Sequence, residues 1–129
     1  MFDWLKSKLG HKEAPLTGAP PVRRQKTHSA QSGYVYQYYY EGHRGPEYVF
    51  DVSADRKTSF PVSVIVDAGA VRPWQQAHGR DLSQTELYAI AKMSLFKAFD
   101  ERESPAAMSR EIRVNPEDVD AILCTLDLD

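Results

Sequence analysis

Cysteine is almost absent: Cys124 stands alone in 129 residues. One thiol closes no intrachain disulfide and supplies no thiolate cluster for zinc, so a reducing, cytoplasmic compartment is the expectation. Long apolar runs are missing as well. No stretch approaches the roughly 18 to 20 residues of a membrane-spanning helix, and the amino terminus, interrupted by Asp3, Lys6 and Lys8, lacks the apolar stretch of a secretory signal. Chemistry-bearing motifs are equally scarce. The chain has no Gly-rich phosphate loop, no His-Glu-x-x-His and no cysteine pair. No cofactor and no metal are therefore expected; the nearest approach to a ligand set is His43 and His78 with Asp81.

A basic surplus is lacking too. Sixteen Lys and Arg against eighteen Asp and Glu leave a net charge of −2, and the distribution is uneven. Residues 1–32 carry six basic and two acidic side chains, a surplus of +4, whereas residues 33–129 carry ten and sixteen, a deficit of −6. An acidic body repels phosphates, so nucleic acid is not an expected partner.

What is present divides the chain into three parts. Residues 1–9 form a short amphipathic segment in which Phe2, Trp4, Leu5 and Leu9 offer bulky apolar groups beside Lys6 and Lys8. Such a segment suits a partner's groove or peripheral contact with a membrane surface. Residues 10–32, with Pro15, Gly18, Pro20, Pro21, Arg23, Arg24 and Lys26, have little to bury and read as a disordered basic linker. Residues 33–129 then read as a single α+β domain.

That domain opens with strand signals. Tyr34, Tyr36, Tyr38 and Tyr40 alternate along one face, a turn is expected over 42–46, and a second strand over 47–52 returns with Tyr48, Phe50 and Val52. Phe60, Val62, Val64 and Val66 mark a third. The expectation is a three-stranded antiparallel meander, with a short fourth strand around Ile112 and Val114. An exposed tyrosine row would suit stacking of single-stranded bases. Here the row is needed for the core, and the opposite face collects Gln37, Glu41, Glu47, Asp51, Ser63 and Asp67.

The residues 68–81, which hold Arg72, Pro73, Trp74 and Gly79, read as a connecting loop with Trp74 on the rim of the sheet. A long central helix follows. Ser83 and Glu86 have the spacing of a capping box, and Leu87, Tyr88, Ala91, Leu95, Ala98 and Phe99 form one apolar face. Ile90, Met93 and Phe96 form a second, which needs a cover and suggests an interface, most simply a two-fold homodimer. Asn115-Pro116-Glu117-Asp118 starts a short C-terminal helix, with Val119, Ile122, Leu123 and Leu126 as its buried stripe. Cys124 lies beside that stripe and reads as a packed, inert thiol.

Two functions are compatible with this architecture. The first is a non-enzymatic protein-interaction or adaptor domain that uses the second helix face, a sheet edge or the amino-terminal segment. The second is a small anion-binding or catalytic domain, because the strand order sends His43, Arg44, Arg72, His78 and Arg80 toward one corner beside a helix amino terminus.

Overall fold

The computed structural model describes residues 15–102 and 104–126. Five strands form one sheet in the order β1 (Lys26–Ser29), β2 (Val35–Arg44), β3 (Glu47–Ser53), β4 (Phe60–Ile65), β5 (Glu111–Arg113). The first four are antiparallel neighbours, and β4 and β5 run parallel. A parallel pair needs a long crossover; here it contains α1 (Ala68–His78) and α2 (Gln84–Glu101), and α3 (Pro116–Thr125) closes the chain. The class is α+β, as the strand and helix pattern predicts, with two strands more than the meander.

The inward row of the sheet is the predicted one. Tyr36, Tyr38, Tyr48, Phe50, Val52, Val62, Val64 and Val66 are buried and join one core with Ile90, Ala91, Leu95, Ala98 and Phe99 of α2. Tyr36 stacks on Phe99 with ring centres 4.2 Å apart. Tyr34 is the exception: it precedes β2 in a tight turn closed by Ala30 and is 43% exposed.

The two expected caps are both present. Ser83 accepts from the Glu86 N–H while the Glu86 carboxylate accepts from the Ser83 N–H, and Asn115 and Asp118 repeat the pattern at α3. Val119 and Leu123 are fully buried, and α3 packs chiefly on α1 and also on α2.

Five features differ from the sequence reading. The segment 68–81 is mostly helix, because Asp67 caps α1 by accepting from the Ala70 N–H and Gly79, at φ 68, ends it in the left-handed region. Pro73 lies inside this helix, and Trp74 is buried at 2% exposure in α1 instead of resting on a sheet rim. Lys26–Ser29, assigned to the disordered linker, pairs with β2 as a strand. Cys124 is exposed, not packed.

The fifth difference concerns the second face of α2. Ile90 is completely buried, Met93 and Phe96 are half-buried against the core, and β1 covers part of Phe96: His28 stacks on it at 4.5 Å and bonds the Asp100 carboxylate at 2.9 Å. The patch that suggested a homodimer is thus reduced by His28 of the chain's own first strand, with Met93 and Phe96 left half-buried. Residues Phe2, Trp4, Leu5 and Leu9 lie outside the described residues.

Candidate functional site

The site begins with one irregularity in β2. Up to Tyr40, residues pair regularly with β3; then Gly42 pairs with Val49 and His43 with Tyr48, leaving Glu41 as an extra residue. A bulge of this kind shifts the face to which later side chains belong. Without it, odd-numbered His43 would point away from the core face of Tyr36, Tyr38 and Tyr40. With it, His43 stacks on Tyr48 at 5.1 Å and its Nδ1 lies 3.3 Å from the Tyr40 hydroxyl.

Glycine permits the bulge. Gly42 has φ 116, and a Cβ there would lie 2.7 Å from the Thr17 carbonyl oxygen. That close approach is used: the Thr17 N–H donates to the His43 carbonyl at 2.8 Å and the His43 N–H donates to the Thr17 carbonyl at 2.7 Å. Residues 15–25 therefore form a strap tied to β2 at its start. Its far end is tied by Arg23, which donates to Glu41 at 2.6 Å and Asp51 at 3.1 Å and lies 3.7 Å over the Tyr39 ring.

Between the strap, the end of the sheet and the first turns of α2 lies a cleft of about 660 Å³, lined by Gly18, Pro20, Tyr40, His43, Tyr48, Gln84, Thr85 and Tyr88. Tyr40 and Tyr88 meet at 4.7 Å with their rings tilted by 55°. The size and the mixture of aromatic walls with a few polar groups are those of a small-ligand or peptide pocket. Burial, followed by the neighbouring Tyr48 and Tyr88 hydroxyls, pushes Tyr40 up to about 12, and burial raises Tyr48 and Tyr88 as well. These phenols stay protonated at neutral pH. A consistent hydrogen-bond pattern has Tyr40 donating to His43 Nδ1, the proton on Nε2 facing Thr17 Oγ1 at 3.5 Å, and Thr17 Oγ1 donating to the His43 carbonyl.

The five residues of the anticipated cationic corner do not share this cleft. His43 lines it. Arg44 donates to Glu47 at 3.0 Å. Arg80 makes a two-pronged pair with Glu86, at 3.0 and 2.8 Å, and holds that carboxyl down to about 2. Arg72 is exposed on α1. His78 stacks on Trp74 at 4.1 Å and lines a separate groove between α1 and α3 that also contains Glu117, Asp120 and Cys124. His43 and His78 therefore occupy different cavities, and among the described residues no three His, Cys, Asp or Glu side chains gather as a metal would need.

Alternation along the strands places the tyrosine walls in the core and carries no sign of their role as a cleft. One signal was available, since an isolated Gly inside a strand pattern marks a bulge or a close backbone approach; Gly42 reads equally well as the start of a turn. No protein-family model, no curated protein and no solved structure matches the chain, so its function is argued from the site alone.

Proposed function

We propose that this chain is a non-enzymatic protein-interaction domain whose tyrosine-lined cleft receives a short, extended peptide segment of a partner protein, anchored by an aromatic or proline side chain. The observation that carries the reading is the lining itself: apart from His43 it contains no ionisable group other than neutral phenols. Uncharged aromatic walls reward burial of an apolar side chain, and their hydroxyls satisfy peptide N–H and C=O groups. The chain's own Pro20 already forms part of one wall, beside Tyr40 and Tyr88.

The anion-binding or catalytic alternative has less support, because Arg44 and Arg80 are paired with Glu47 and Glu86 and His43 is engaged by Tyr40 and Thr17. A reducing cytoplasm suits the lone, exposed Cys124. No helix among the described residues is long and apolar enough to cross a membrane.

Selection from a displayed library of random ten-residue peptides tests the proposal. Enriched peptides should carry aromatic residues or proline at fixed spacing and lose at least about tenfold in affinity for Tyr88→Ala, the loss of one good aromatic contact at roughly 1.4 kcal/mol per decade. Enrichment of acidic or phosphorylated-type sequences whose binding ignores Tyr88 would support the cationic corner instead.

A further inference from the structure

The strap brings Thr17, eight residues after Leu9 in sequence, to the mouth of the cleft. Thr17 is fixed to His43 by two backbone hydrogen bonds, and the next residues, Gly18 and Pro20, are cleft walls. Gly18, at φ +79, passes so close that a Cβ would sit 3.0 Å from the His43 ring. Leu9 is only eight residues before Thr17. At about 3.3 to 3.6 Å per residue the intervening chain spans at most roughly 26 to 29 Å, enough to turn back over a cavity whose wall begins one residue after the anchor.

The segment matches the cleft in chemistry. Phe2, Trp4, Leu5 and Leu9 are the bulky apolar and aromatic groups that the tyrosine walls favour, and Trp4 is one of two tryptophans in the chain. Tethering then supplies what a short peptide lacks in free solution. A short tether gives an effective concentration of the order of 1 mM, so a segment with an intrinsic dissociation constant of only about 0.1 mM would occupy the cleft about nine-tenths of the time. An outside ligand would then bind about tenfold more weakly than to the empty cleft.

We propose that residues 2–9 are an internal ligand of the tyrosine cleft, docked through Phe2, Trp4 and Leu5 and displaced when a partner's peptide enters. This rests on the reading of the cleft as a peptide site and adds its regulation. The segment is thus a built-in competitor, and the partner must outbid it.

The test uses the full-length chain and a full-length Phe2→Ser, Trp4→Ser, Leu5→Ser variant, with ring signals followed by NMR and indole as the probe. The expected result is that the Tyr40, His43, Tyr48 and Tyr88 signals differ between the two proteins. A synthetic peptide of residues 1–12 added to the variant should restore the wild-type positions, and indole should bind the variant about tenfold more tightly than the wild type. Identical cleft signals and equal indole affinity would overturn the internal ligand while leaving the cleft a binding site. Wild-type signals that approach those of the variant on dilution would place the segment in a second copy's cleft and also overturn it. Indole binding to neither protein would remove the reading of the cleft itself.

Discussion

Gly42 is the residue on which the cleft depends, since it lets the backbone take φ 116 and lets the Thr17 carbonyl approach. Any side chain there meets both obstacles. Gly42→Val should cost about 1 to 3 kcal/mol, the scale of a strained non-glycine conformation, and should detach the strap, read as a lower urea midpoint together with a changed His43 ring signal. A neutral result would mean that the bulge is not needed for the strap. Core residues behave differently, because their cost is a cavity. Leu95→Ala should destabilise by about 2 to 5 kcal/mol, as Leu95 is fully buried under the sheet. The rows that build this core were legible from alternation and helical spacing alone. What alternation could not convey was the change of face after Glu41, which moves His43 among the tyrosines.

Elements with strong local signals were legible, and those made by tertiary contact were not. The caps at Ser83 and Asn115 announce α2 and α3 because a side chain satisfies a free N–H within the same turn. Ser83→Ala should therefore cost about 0.5 to 2 kcal/mol in thermal unfolding. Helix α1 carries similar signals in Asp67 and Gly79, masked by an internal Pro73. Strand β1 has almost no signal of its own. Its polar Lys26, Thr27, His28 and Ser29 are a strand only because β2 offers an edge and Phe96 offers His28 a ring to stack on. Removing residues 1–32 should consequently lower the melting temperature, contrary to what a disordered linker implies, by exposing Phe96 and leaving the β2 edge bare. The capping carboxylate adds a pH dependence. Glu86 titrates at about 2 instead of 4.5, first because Arg80 bonds it and then because the Ser83 N–H does. Its folded pKa is depressed, so its contribution is complete above about 4.5 and is lost as pH falls through 2. Glu86→Gln should flatten the acid limb of stability across that window, and an unchanged limb would show that other carboxylates carry it.

On the scale of the whole molecule, one bulge, one strap and one helix start turn part of an ordinary aromatic core into a surface cavity. The strap crosses the edge of β2 from Thr17 near the cleft to Arg23 on the outer face of the sheet, held at both ends. The helices fill the remainder of the inner face, leaving Tyr40, Tyr48 and Tyr88 as the aromatic walls of the cleft next to the first turns of α2. The groove between α1 and α3 is the natural competitor, comparable in volume at about 620 Å³ but lined by Glu117, Asp120 and His78. Titrating indole into the full-length protein and following backbone and ring resonances separates the two most directly. Saturable shifts centred on Tyr40, His43, Tyr48, Thr85 and Tyr88 that Tyr88→Ala abolishes are the expected result; shifts centred on Pro73, Ala77 and Cys124, or none that saturate, would overturn the tyrosine cleft as the binding site.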